Sequence, residues 1–136
     1  MKIQVKNSFA EIPAATEAAS NWLAVRNAPP AIGYLANLAI EELLTNCIKY
    51  GYDDAAEHTI AIELQLFEKE LKITVIDDGH LFNPLEVAPP DISLPLDERP
   101  VGGLGLLLLR KMSDRMEYCR SQDKNWVTLW KGFTSE

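Results

Sequence analysis

Three short clusters in this chain hold residue types that chemistry can use, and they follow one another in a fixed order. Glu42, Asn46 and Lys49 are spaced by four and then three residues. On a helix that spacing puts a carboxylate, an amide and an ammonium on one face. The amide oxygen of Asn46 is a hard donor of the kind Mg²⁺ takes while keeping several of its waters. Next, Asp77 closes an apolar run and stands two residues before Gly79, in Ile76-Asp77-Asp78-Gly79-His80-Leu81-Phe82-Asn83-Pro84. An acid at a strand end can accept a hydrogen bond from the amino group of adenine, and Gly79 lets the backbone come close to the base. A buried acid without its donor costs on the order of 1–3 kcal/mol, so such a pocket rejects other bases. Last, Gly102-Gly103-Leu104-Gly105-Leu106 opens an apolar run. Free backbone N–H groups, with about half a positive charge at a helix N-terminus, make a site for phosphates.

Taken singly, each cluster has an ordinary reading: a solvated helix face with a Glu–Lys pair, a polar turn after a strand, a structural glycine turn. Their order carries the weight, and it depends on the elements that place them. Ile3 and Val5 alternate with polar residues and predict a first strand. An Ala-rich stretch from about Ile12 to Arg26 predicts a helix that Asn27-Ala28-Pro29-Pro30 ends, with the prolines able to open the next one. From about Ala31 to Tyr50, residues Ala36, Ile40, Leu43, Leu44 and Cys47 recur at helical spacing beside the polar stripe, and Gly51 marks the stop.

Thr59 to Phe67 alternates, and a turn at Glu68-Lys69-Glu70 leads into Leu71, Ile73 and Val75, which predicts an antiparallel hairpin. Between Gly79 and Gly103 the periodicity vanishes amid Pro84, Pro89, Pro90, Pro95 and Pro100. Loops longer than about 12–15 residues in a compact domain are usually functional. Leu104 to Met112 predicts a buried helix. Residues 116–120 and 126–130 predict a last hairpin, turning near Gln122-Asp123-Lys124-Asn125. The order β-α-α-β-β-loop-α-β-β predicts one α+β domain over residues 1–136. Its architecture is a two-layer α/β sandwich, a mostly antiparallel mixed sheet with helices on one face.

Bulk properties narrow the function classes. With 136 residues and 47% hydrophobic content the chain can build one core. Thirteen basic against 20 acidic residues give a net charge of −7, which disfavours nucleic acid and anionic membranes as partners. No stretch nears the roughly 18 apolar residues of a membrane span, and MKIQVKNSF lacks the apolar run of a secretory signal. Cys47 and Cys119 are far apart, which fits small core residues in a reducing, cytoplasmic setting rather than a disulfide or zinc knuckle. His58 reads as a surface residue and His80 has no assigned role. Trp126 and Trp130, at even spacing around Thr128, read as packing residues, as do Tyr50 and Tyr52 near a helix end.

With the three clusters in place, the chain resembles the GHKL ATPases, and more closely the stand-alone bacterial anti-sigma-factor serine/threonine kinases. Glu42-x-x-x-Asn46 matches their first box, Asp77-x-Gly79 with Phe82-Asn83-Pro84 the second, and Gly103-x-Gly105 the third, over nearly the whole chain. The resemblance implies ATP and Mg²⁺ as cofactors, with Asn46 on the metal and Asp77 on adenine, helped through water by Thr128. It implies Gly103 and Gly105 at the phosphates, Lys49 and Arg99 touching phosphate oxygens, and Pro89 to Gly102 as a lid. Glu42 would be the general base for a Ser or Thr hydroxyl on an anti-anti-sigma (STAS-type) partner. A sigma factor as a second partner and a homodimer are both compatible with it. The chain carries no phosphoacceptor His box or dimerising helical hairpin, so a complete histidine kinase is not expected. Two other readings stay open: a nucleotide-dependent binding module or slow ATPase in another signalling system, and an α+β domain that binds no nucleotide.

Overall fold

Two hairpins and three helices follow from the sequence pattern, and the computed structural model shows how they combine; it describes residues 1–86, 93, 95 and 104–134. Strand β1 (Lys2–Lys6) precedes helices α1 (Ile12–Val25) and α2 (Pro30–Tyr50). Strands β2 (Thr59–Phe67) and β3 (Glu70–Asp77) come next, followed by α3 (Leu104–Met112), β4 (Arg115–Ser121) and β5 (Lys124–Gly132). Single 3-10 turns lie at Phe9–Glu11 and Pro84–Glu86. The five strands form one sheet in the order β1-β2-β3-β5-β4. Expected to be mostly antiparallel, it is antiparallel at all four described pairings. This is the expected α+β sandwich.

Strand alternation decides which face the helices cover. Ile60, Ile62 and Leu64 of β2, Leu71, Ile73 and Val75 of β3, and Val127 and Leu129 of β5 are buried in a single cluster. In that cluster they meet Leu23 of α1, Leu35, Ile40, Leu43 and Leu44 of α2, and Leu106 and Leu109 of α3. Burying each such side chain contributes roughly 1.5–3 kcal/mol, which offsets the ordering of the chain. The opposite face carries Thr74, Ile76, Trp126, Thr128 and Trp130, as the pairings Thr74↔Thr128 and Ile76↔Trp126 require. There Trp130 is covered by the Arg115 guanidinium, 3.8 Å from the ring centre, with the Lys72 ammonium at 5.7 Å.

The junctions are built by local chemistry. Helix α1 ends in a Schellman motif: Ala28 N–H donates to Leu23 O (3.1 Å) and Asn27 N–H to Ala24 O (3.0 Å), with Asn27 at φ 58°. Pro30 then takes the first position of α2, where no backbone donor is needed. Gly51 ends α2 as expected, with right-handed angles (φ −85°, ψ −19°). Both glycines are needed for closeness: a Cβ added at Gly51 would overlap the Cys47 carbonyl, and one added at Gly79 would overlap the Gly51 carbonyl, which also accepts from His80 N–H at 2.8 Å. The last hairpin turns on two residues, Gln122 and Asp123, both at positive φ (56° and 58°). That primed turn matches the strand twist, and it starts β5 early enough to include Asn125. No helix among the described residues is long and apolar enough to cross a membrane.

Candidate functional site

Between α2 and the ends of β3 and β5 lies a cleft with about 330 Å³ of empty space, part of it open to solvent. Leu43, Asn46 and Cys47 line it from α2, Val75 and Asp77 from β3, and Asn125 and Val127 from β5, with Phe82 and Pro84 at its edge. Asp77 is buried, 5% exposed. Its Oδ1 accepts from Gly79 N–H (2.9 Å) and from Asn125 Nδ2 (3.0 Å), while its Oδ2 accepts the Cys47 thiol at 3.1 Å. A carboxylate held by three donors is fixed in direction. Asn46 stands in the opposite condition. Its Nδ2 is buried and finds no hydrogen-bond partner among the described residues, an arrangement that costs on the order of 1–3 kcal/mol unless a ligand satisfies it.

The expected site residues thus meet in part. Asn46 and Asp77 share the cleft, and Gly79 is buried in the turn beneath Asp77. Glu42 lies one helical turn before Asn46, about 6 Å along the axis of α2. A Cβ added at Gly105 would overlap the Glu42 carboxylate, so the first turn of α3 rests on that side chain. Burial pushes the Glu42 carboxyl above its ordinary value; neighbouring Glu41 adds to this and the Lys49 ammonium opposes it. Lys49 itself is exposed. Arg99, Gly103 and nearly all of the 89–102 lid lie outside the described residues.

Thr128 requires a correction. It projects from the sheet face opposite Asp77, with its Oγ1 3.4 Å from that of Thr74. Because Asp77 pairs with Asn125, the residues of β5 that share its face are Asn125, Val127 and Leu129. Val127 lines the cleft in place of Thr128.

Three contributors escaped the sequence reading. The sequence pattern puts Asn125 in the hairpin turn, whereas it is the second residue of β5 and 2% exposed. Cys47, read as a core residue, sits against the carboxylate. Burial, and then the charge of Asp77 and the hydrogen bond to it, push its thiol well above the ordinary value, so it stays protonated and donates. His58, read as a surface residue, is clasped. Its Nε2 lies 2.8 Å from Asp54 and its Nδ1 3.3 Å from Asp78, and its ring stacks on Tyr52 at 4.3 Å. Tyr52 donates to Asp78 at 3.1 Å, and its burial pushes the phenol far above its ordinary value. The only sequence signal for this cluster was the density of Asp and His at 53–58 and 77–80.

The hydrogen bond to Asp54 and then that to Asp78 hold His58 above the ordinary 6.5, and the bond from His58 holds Asp54 below its ordinary 3.8. The protonated ring therefore favours folding fully below about pH 6.5, and the contribution is lost as pH rises through the raised folded value. At the acid end, the Asp54 contribution is lost as pH falls through its lowered value. Thermal melts are expected to show the wild type losing stability from about pH 6 to about pH 8 relative to His58→Gln. Parallel curves for the two proteins would show that the clasp contributes nothing.

Comparisons with known proteins identify the family of the chain. The family model described as a histidine kinase-like ATPase domain matches residues 5–131. The serine-protein kinase RsbW of Bacillus thuringiensis (strain Al Hakam) is 38% identical over 85 residues, covering 59% of this chain and 52% of that protein. The RsbW of Bacillus cereus (strain AH820) is 40% identical over 85 residues, with the same shares covered. The match thus spans about half the length of these curated relatives. Among solved structures, the RsbU and RsbW domains of a Mycobacterium tuberculosis protein superpose with a TM-score of 0.61 at 14% identity. That superposition covers 100% of this chain and 34% of the other, and speaks for the fold alone. On the strength of the family match, the chain belongs to the histidine kinase-like ATPase domain family.

Proposed function

We propose that the chain binds Mg-ATP in the cleft between α2 and β3 and acts as a cytoplasmic serine/threonine protein kinase on an anti-anti-sigma (STAS-type) partner. A sigma factor would be a second protein that it binds. The observation that carries this reading is the pairing of Asn46 and Asp77 in one cleft: an amide with a buried end unpartnered among the described residues, and a carboxylate already directed by protein donors. A half-turn of the Asn46 amide exchanges its donor and acceptor ends, so the same group can present oxygen to a cation. The donor set suits Mg²⁺, since an amide oxygen is a hard ligand, and phosphates and waters would complete the shell. When bound, the ion would neutralise charge on the phosphates.

The chain's own residues supply the rest. Asp77 accepts from the adenine amino group through Oδ2, whose protein donor is a weak thiol. Gly103 and Gly105 offer backbone N–H groups at the start of α3, Lys49 and Arg99 reach phosphate oxygens, and Glu42 takes the proton of the attacking hydroxyl. The raised value makes Glu42 a stronger base than an ordinary carboxylate. Ligand-induced stabilisation tests the reading first. At a concentration of about 100 times its dissociation constant, Mg-ATP is expected to add roughly 2.7 kcal/mol, a rise of roughly 5–10 °C in melting temperature. Mg-GTP is expected to shift it little. No shift with millimolar Mg-ATP would count against the site.

A further inference from the structure

We propose that Asn125 is a positioning and specificity-determining residue for base recognition, fixing the Asp77 carboxylate so that its Oδ2 is the oxygen open to a ligand. The proposal rests on the nucleotide reading and deepens it. All four hydrogen-bonding positions of the Asn125 amide are used. Its Nδ2 donates to Asp77 Oδ1 (3.0 Å) and to the His80 carbonyl (2.6 Å). Its Oδ1 accepts from Phe82 N–H (3.3 Å) and from the Tyr118 hydroxyl (2.5 Å). A planar amide is the side chain that offers two donors and two acceptors at once. One residue therefore ties the acid, the turn that follows it and β4 together, from directly opposite Asp77 in the sheet.

The consequence for recognition lies in which oxygen is spent. Oδ1 takes both the Gly79 N–H and the Asn125 amide, and its capacity is filled. Oδ2 keeps room for one more donor beside the Cys47 thiol. A base that presents an exocyclic amino group there is accepted, and one that presents a carbonyl meets a carboxylate with no proton between them. Without Asn125 the carboxylate loses its fixed direction, and the preference for adenine over guanine falls with it.

The test is Asn125→Asp, read as the ratio of ATP to GTP affinity by calorimetry at about pH 6 and about pH 8. The substitution sets a second carboxylate where the amide nitrogen stood, 3.0 Å from Asp77 Oδ1. Two carboxylates that close share a proton at acid pH and lose it as pH rises. That shared proton replaces the missing donor. At about pH 8 the variant's ATP:GTP preference is expected to drop at least about tenfold below wild type, with partial recovery at about pH 6. The wild-type preference is expected to stay the same at both. An unchanged preference at the higher pH, even with both affinities lowered together, overturns the proposal. A loss that acid does not reverse overturns it as well. If Asn125→Asp does not fold, Asn125→Ser decides, since it keeps one donor. A preference at least about tenfold below wild type supports the proposal, and an unaltered one overturns it. A wild-type protein that binds neither nucleotide overturns the nucleotide reading itself, and the proposal with it.

Discussion

Asn46→Ala is expected to lower Mg-ATP affinity by at least about a hundredfold while leaving the unliganded protein as stable as before, or more so. The two halves have one cause. Among the described residues the Asn46 amide nitrogen is buried without a partner, so its removal breaks no hydrogen bond to them. A buried polar group of that kind carries a desolvation cost on the order of 1–3 kcal/mol. Trimming it to a methyl relieves that cost and loses some packing against Leu43 and Cys47. The net change should stay within about 1 kcal/mol of zero, or be stabilising. Binding is different, because groups that only support a metal ligand already cost 10- to 100-fold when removed, and the ligand itself should cost no less. Calorimetry with Mg-ATP and thermal melts without it separate the halves. Unchanged affinity would remove Asn46 from the site, and a large loss of stability would mark it as an ordinary core residue.

The parts of this site that could be read from sequence are those set by one element's own period. Glu42, Asn46 and Lys49 share a stripe because a helix turns every 3.6 residues, whatever it packs on. Asp77 was legible because a strand's alternation ends there and a glycine follows. Thr128 was misplaced for a reason of the same kind turned round. A strand's period is two, so an error of one in relating it to its neighbour reverses the face of every residue. The partner that settles the parity is 48 residues away, where Asp77 meets Asn125. The turn position was the missing quantity: a two-residue turn at Gln122–Asp123 releases Asn125 into the strand.

Gly51 and Gly79 show the same limit. Their presence was legible, but their shared purpose, the close passage of one backbone over the other, exists only in three dimensions. His58 looked like a strand-end surface residue because its carboxylate partners come from two separate segments. In each case the failure lies in the pairing between elements, while the elements themselves were legible nearly to the residue.

Glu42 carries the second large effect. If it takes the proton from the attacking hydroxyl, Glu42→Gln should keep nucleotide affinity within a few-fold of wild type and lower transfer of labelled γ-phosphate to a STAS-type partner by about 10²–10⁴-fold. Gln preserves the shape and the contact with Gly105 but cannot accept a proton at neutral pH. The pH dependence has a definite sign. Burial, and then the charge of Glu41, raise the carboxyl from its ordinary 4.5. The basic form is therefore lost as pH falls through a value above 4.5, and transfer should decline on that acid limb. Gly105→Ala approaches the same group from the other side. Its new methyl would occupy the space of the Glu42 carboxylate, a flexible end that can swing aside. The fold should survive while transfer falls by at least about tenfold, since small misplacements of a catalytic group are costly. Undiminished transfer by Glu42→Gln would assign the proton to another acceptor. Wild-type binding of ATP without transfer to any such partner would identify the chain as a nucleotide-dependent binding module, in which Glu42 only supports the first turn of α3.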